Sequence, residues 1–295
     1  MEEHHKPVLR SEVLQLLDPK RGESYLDLTA GYAGHASAIL GVTQNYKDSC
    51  LVDRDDYAIS VLKGKYESEP IEILHMDFYS AALQLLQCGK TFDLILADFG
   101  VSSPQLDQGS RGFSFKNDGP LDMRMDRRQK LSAVEVVNKW SERELIQIFE
   151  RYGEMSSGFS RKVASIIVNR RKKVGPFKTT KELADEILNH SAKTRIHPAT
   201  KVFQAIRIAV NDELAIIEKT LPLLPKLLNP GGRLAIITFH SLEDRLVKDY
   251  FKQASSLGEE SKLKIINKKP ITAERLELVN NPRSRSAKLR AACKK

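Results

Sequence analysis

The chain has 295 residues, 41% of them hydrophobic, which is enough for one large core or for one core with a smaller satellite. No apolar run reaches the ~18 residues that a membrane helix needs, and the opening "MEEHHKPVLRSEVLQLL" carries acids without the apolar stretch of a secretory signal. The net charge of +9 is unevenly spread: residues 1–110 carry −8, 111–201 carry +9, 202–261 carry −1 and 262–295 carry +9, so two basic stretches suit a polyanion such as nucleic acid.

In chain order, "SYLDL" (24–28) reads as a first strand that runs into a glycine-bearing turn and a helix. "SCLVD" (49–53), "IEILH" (71–75) and "FDLILA" (92–97) follow at helical intervals. That alternation predicts a mostly parallel, doubly wound α/β sheet with helices on both faces. The next 135 residues lack a strand and switch to a helical period. Ser132 with Glu135, Ser141 with Glu144 and Thr179 with Glu182 are spaced as capping boxes. Leu145, Ile148, Phe149 and Tyr152 form one apolar stripe, which Gly153 is placed to stop. Phe159, Val163, Ile166 and Ile167 form a second, with Arg161, Lys162 and the run Arg170–Lys173 on its wet side. Phe203, Ile206, Val210, Leu214 and Ile217 predict one long helix after Pro198. Residues 108–212 are therefore read as a helical domain inserted into an α/β domain formed by 1–107 and 213–295. "RLAIIT" (233–238) is the fifth strand, and "KLKIINKKP" (262–270) and "SAKLRAACK" (286–294) are candidates for two more. The second of these is charged and is expected at an edge.

Which ligand does the first turn hold? A dinucleotide fingerprint asks for glycine at 31 and 33 and a small residue at 36, and this chain has Gly31, Ala33 and Ala36. The missing middle glycine is the one that lets backbone approach a pyrophosphate. Asp27, just before the turn, also opposes phosphate but suits the ammonium and sulfonium of S-adenosylmethionine. Asp53 ends the second strand, where an acid accepts from ribose hydroxyls of either ligand. These residues favour S-adenosylmethionine over NAD. Three scattered cysteines, with no CxxC and no histidine at zinc-ligand spacing, suggest no metal centre and a cytoplasmic location.

In such a sheet, ligands gather at the carboxyl ends of the first and fourth strands. Asp98, in "ADFGVSSPQLD" (97–107), is therefore expected beside the cofactor, as the acceptor for an amino group's hydrogens and the catalytic residue. Ser102 lies in the turn behind it. Further on, "RGFSFKNDGPLDMRM" (111–125) offers Arg111, Phe113, Phe115 and Arg124 to hold an extruded base. Phe239 and His240, after strand five, are alternative contacts for that base.

Several long segments resemble signatures of one family. They are "HKPVL" (5–9), "DFGVSSPQLDQGSRGFSF" (98–115), "DGPLDMRMD" (118–126), "HPATKVFQAIRIAVNDEL" (197–214), "PGGRLAIITFHSLEDRLVK" (230–248) and "NPRSRSAKLR" (281–290). Nearly end to end, the chain resembles the bacterial ribosomal RNA small subunit methyltransferase H family. The resemblance implies a class I S-adenosylmethionine-dependent methyltransferase fold with an inserted helical domain, acting on the N4 of a decoding-centre cytidine in small-subunit (16S) rRNA. The implied partner is that RNA or the 30S subunit, with no membrane and with the oligomeric state open. It also implies cofactor contacts at Ala33, Gly34, His35, Asp53, Phe78, Asp98 and Gln105, to which the residue-level reading adds Asp27 and Gly31. The family usually carries Gly-Gly-His where this chain has Ala33–Gly34–His35. An RNA-binding assembly factor with little activity, an NAD-dependent oxidoreductase and a DNA cytosine methyltransferase are the competing readings.

Overall fold

A computed structural model describes residues 7–191, 197–256 and 261–295, so His5 and Lys6 of the first signature lie outside the described residues. The five expected strands are β1 (Tyr25–Asp27), β2 (Cys50–Asp53), β3 (Glu72–His75), β4 (Phe92–Asp98) and β5 (Leu228–Thr238); β6 (Leu263–Ile265) and β7 (Lys288–Lys294) complete the sheet. Helices α1 (Arg10–Leu17), α2 (Gly34–Thr43), α3 (Asp56–Lys65) and α4 (Phe78–Gln87) alternate with the first four strands. After β4 come α5 (Ser103–Asp107), α6 (Ala133–Lys139), α7 (Glu142–Arg151), α8 (Ser157–Lys173), α9 (Thr180–Asn189) and α10 (Ala199–Asn211). The chain then runs through α11 (Glu213–Thr220) and α12 (Leu224–Leu227) into β5, and continues with α13 (Ser241–Ser255) and α14 (Arg275–Asn280). Contacts divide it into two compact units, residues 1–100 with 214–295, and residues 101–213. Residues 101–107 fall in the helical unit rather than the first one, because Val101 and Leu106 pack on its core.

In the first unit the strand order is β3-β2-β1-β4-β5-β7-β6, with β1 to β5 parallel to their neighbours and the last two pairings antiparallel. Both faces are covered, which is why the parallel strands read as continuous apolar runs. Leu26, Val52, Ile95 and Ile236 face one helical layer with Leu85 and Phe251. Tyr25, Leu51, Leu96 and Ile237 face the other with Leu17, Ile39 and Leu62.

The charged strand is not at the edge: β7 lies between β5 and β6, and β6 takes the edge instead. Alternation along β7 explains this. Leu289 and Ala291 enter one core layer, while Lys288 and Arg290 point the other way, where Asp244 on α13 accepts at 3.0 Å from Lys288 Nζ and at 2.7 Å from Arg290 Nε. Charge paired in this way is compatible with an interior strand. Burial opposes ionisation of Asp244, but its bonds to Arg290 and Lys288 outweigh burial and hold its pKa below the usual carboxylate value. Its contribution to stability is therefore present above pH ~4 and is lost as pH falls through the depressed pKa. Asp244→Ala leaves buried Arg290 without that carboxylate and is expected to cost ~3–5 kcal/mol in urea unfolding at neutral pH. An unchanged midpoint would show that Asp244 does not neutralise the strand.

The helical unit has its own core, which includes Leu145, Phe149, Val163, Ile167, Phe177 and Ile206. Ser141 and Glu144 form the full capping box that opens α7, and the Thr179 hydroxyl accepts from the Glu182 N–H. Ser132, by contrast, makes no side-chain cap. Instead, the Ala133 and Val134 N–H groups donate to the carbonyls of Asp122 and Leu121, so a preceding loop satisfies the first turn of α6. Gly153 follows α7 without adopting a left-handed φ, and a Cβ there would lie 3.0 Å from the Lys201 carbonyl, so close approach rather than capping requires it. The long helix expected after Pro198 is two helices, because Asp212 turns left-handed (φ 50°) between α10 and α11. Arg170 and Arg171 do not stay on the wet side of α8. Arg170 sits 4.2 Å over the Phe177 ring, and Arg171 donates to the carbonyls of Val137 and Trp140 at 2.6 Å each.

Candidate active site

In the first unit the sheet reverses direction of travel between β1 and β4, which are neighbours with Asp27 opposite Leu96. The crossover geometry therefore places Asp27 and Asp98 at the same end of the sheet. Thr29 Oγ1 accepts from the Asp98 N–H at 2.6 Å and fixes the end of β4 against the chain leaving β1. Sequence reasoning did not single out Thr29 or Tyr25. The Tyr25 hydroxyl donates to Asp27 Oδ2 at 2.7 Å, a contact foreshadowed by their i, i+2 spacing on one strand face.

The turn after β1 carries two left-handed residues, Gly31 (φ 51°) and Ala33 (φ 64°). For alanine that conformation costs on the order of 1 kcal/mol, and such strain clusters where a loop must present its backbone to a ligand. Gly31 N–H donates to Asp53 Oδ2 at 2.8 Å, and Asp55 N–H donates to Asp53 Oδ1 at the same distance. Asp53 thus anchors the turn itself. Gly34 opens α2, and a Cβ there would meet the Pro7 ring at 3.2 Å. His35 is buried behind it with Nε2 3.9 Å from Asp98 Oδ2. Phe78 begins α4, whose N-terminus Asp77 caps, and its half-buried ring packs against Phe99 at 5.1 Å between centroids.

This end of the sheet gathers acid. Burial pushes Asp27 up to about 7, partly offset by its bonds from Tyr25 and Thr29, and Asp53 adds to the rise. Asp53 is also raised, again mainly by burial. Asp98 is raised well above the usual carboxylate value by burial, then by the charges of Asp27 and Glu243. Its Oδ1 is buried and accepts no hydrogen bond among the described residues. A site lined by such carboxylates repels phosphate and suits a cation with donors to offer.

After β5, His240 caps α13: its Nδ1 accepts from the Glu243 N–H at 3.4 Å, and Glu243 Oε2 accepts from the N–H groups of Phe239 and His240. Phe239 is thereby held with its ring against Gly100, where an added Cβ would meet Phe239 Cδ2 at 3.1 Å. Gly100 itself is left-handed at φ 110°.

In the helical unit the structure gives most of the candidate base-binding residues other work. Arg111 is buried and donates to the carbonyls of Arg124 and Met125. Phe113 belongs to the core, and Phe115 packs on His197 and Phe203. Arg124 grips Asp122 through Nε at 2.6 Å and Nη2 at 3.0 Å, and also donates to the carbonyls of Arg127 and Gln129. Ser102 and Gln105 close a capping box around the first turn of α5. Arg111, Arg124 and Ser102 are types that suit RNA contact, but here they satisfy the chain's own backbone and Asp122, while Gln105, expected as a cofactor contact, is tied into the cap of α5.

A family model described as the MraW methylase family matches residues 2–295. A protein of Trichormus variabilis named ribosomal RNA small subunit methyltransferase H is 46% identical over 297 residues, covering 99% of this chain and 92% of that one. A protein of the same name from Acidobacterium capsulatum is 44% identical over 305 residues, covering 99% of each. A putative methyltransferase of Streptococcus mutans, solved in complex with SAH, aligns over 99% of this chain and 100% of its own at 10% identity and a TM-score of 0.46. No helix among the described residues is long and apolar enough to cross a membrane. With a match that runs the length of the sequence and relatives near half identical to it, the chain belongs to the MraW methylase family.

Proposed function

We propose that this protein methylates the N4 amine of a decoding-centre cytidine in small-subunit ribosomal RNA, with S-adenosylmethionine as donor. The observation that carries the chemistry is Asp98, a carboxylate at the switch point whose buried Oδ1 meets no donor among the described residues. The names of the relatives support the RNA as acceptor. Asp27 would face the cationic part of the donor, the turn Gly31–His35 and Asp53 its ribose side, and Phe78 its adenine. S-adenosylmethionine supplies a methyl carbon on a positively charged sulfur. The cytosine amine is a weak nucleophile because its lone pair is delocalised into the ring. A hydrogen bond from that amine to Asp98 turns the lone pair toward the methyl carbon. As the N–C bond forms, the C–S electrons return to sulfur, and Asp98 takes the proton that the nitrogen must lose. Phe239, fixed beside Gly100, is the ring proposed to stack on the base in place of Phe113 and Phe115.

The deciding experiment incubates the protein with labelled donor and immature small subunits, then digests the RNA. Label in N4-methylcytidine is expected; label elsewhere, or none, overturns the reading. DNA of the same local sequence is the control for a DNA enzyme.

Asp27 adds a pH signature. A carboxyl near 7 is partly protonated in the free protein, and a bound cation favours its ionised form. Donor binding therefore releases a proton, and affinity is expected to rise by up to about tenfold per unit from pH ~5.5 to ~7 before flattening. Asp27→Asn should flatten that profile. Calorimetry that finds no pH dependence in the wild type would remove Asp27 from the cation's surroundings.

A further inference from the structure

The 17 residues of α8 include six cations and no acid. At 3.6 residues per turn, Arg161, Lys162, Ser165, Asn169, Lys172 and Lys173 fall within an arc of about 120°. All are exposed except half-buried Ser165, whereas Val163, Ala164, Ile167 and Val168 on the other side are buried. The two remaining cations, Arg170 and Arg171, turn away from this arc and are spent on Phe177, Glu182 and backbone carbonyls. Elsewhere in the unit, Arg124, Arg128, Lys139 and Arg207 each have a carboxylate partner. Lys162, Lys172 and Lys173 form no ion pair among the described residues, and Arg161 bonds to the Ser157 hydroxyl. One helix face thus concentrates positive charge that no carboxylate among the described residues pairs with. Its two pairs of cations stand about 16 Å apart along the axis.

We propose that this outward face of α8 binds the phosphate backbone of double-helical RNA, a contact that rests on the rRNA reading above and gives it an anchoring surface on the helical unit. The composition of the arc selects the partner. It has no aromatic ring, so it lacks the stacking platform that single strands need. It has no large apolar side chain to enter a bilayer. Cations with serine and asparagine between them suit an A-form helix, whose deep groove hides its bases and which is recognised through shape and backbone.

The test replaces Arg161, Lys162, Lys172 and Lys173 together with glutamine in the full chain. The probes are a hairpin RNA with about 16 base pairs, a single strand of equal length, and small ribosomal subunits as methyl acceptor. The variant is expected to bind donor and melt as the wild type does. For subunits its KM should rise about tenfold or more with kcat within about twofold. For the hairpin, the slope of log affinity against log salt should shrink by about 3 to 4, one for each lost phosphate contact. An unchanged hairpin slope overturns the proposal, and so does an equal loss on the single strand. If KM rises for assembled subunits but not for protein-free RNA, the partner is an acidic protein and the proposal falls. A wild type that methylates no RNA refutes the functional reading instead, and leaves the hairpin measurement to judge α8.

Discussion

Asp98→Ala is expected to lower methyl transfer by about 10²–10⁴-fold, the range over which a positioned acid or base acts, while its melting temperature gains on that of the wild type as pH rises above ~4, the ordinary carboxylate value. Both effects come from one cause. Asp98 is held among buried surroundings and the charges of Asp27 and Glu243, which raise its pKa well above that of a free carboxyl. A group raised in the folded state lends stability below its unfolded pKa and withdraws it as pH climbs through the folded one. Ionised Asp98 therefore strains the ligand-free fold, and its removal relieves that strain at the expense of function. Asp98→Asn separates the two jobs proposed for the residue, since the amide oxygen still orients the amine but cannot take its proton. Single-turnover rates near those of wild type in Asp98→Ala would end the assignment. A loss in Asp98→Asn as deep as in the alanine variant would make proton acceptance the larger job.

Gly119→Ala is expected to unfold the loop between α5 and α6 at a cost above ~3 kcal/mol, the upper end for overpacking. A Cβ at Gly119 would lie 1.8 Å from the Gly109 carbonyl oxygen and 2.5 Å from its carbon, so backbone meets backbone and no side chain can yield. Gly112→Ala should behave alike, with its Cβ 2.1 Å from the Pro120 oxygen on a residue at φ 70°. Urea unfolding with hydrogen exchange across residues 109–125 measures both. A midpoint equal to that of the wild type would show that the two strands of the loop do not approach so closely. The prediction recasts a segment that looked like a base-binding loop. Its glycines permit close crossing, Arg111 and Arg124 satisfy carbonyls and Asp122, and Phe113 is core.

The parallel sheet was legible because its strands are buried on both faces and so stand out as apolar runs of the right length. Helices α7 and α9 were legible because Ser141 and Thr179 cap them through local chemistry. The misplaced edge strand failed for a different reason: the partner of Arg290 is Asp244, 46 positions away, and no local pattern pairs them. The split between α10 and α11 failed because the hydrophobic period runs straight through Asp212, whose backbone turns without any glycine or proline to announce it.

The sequence by itself determined the doubly wound sheet, the acids at its carboxyl ends and the family, since each depends on residue types at short spacing or on long rare segments. Only the tertiary structure decided which side chains remain available for chemistry. It consumed Arg111, Arg124 and Phe113 in building a loop, turned Arg170 and Arg171 inward, and left Asp98 Oδ1 with no donor among the described residues. The physical reason is that every buried polar group must find a partner, and the partners it finds are set by chain crossings far apart in sequence.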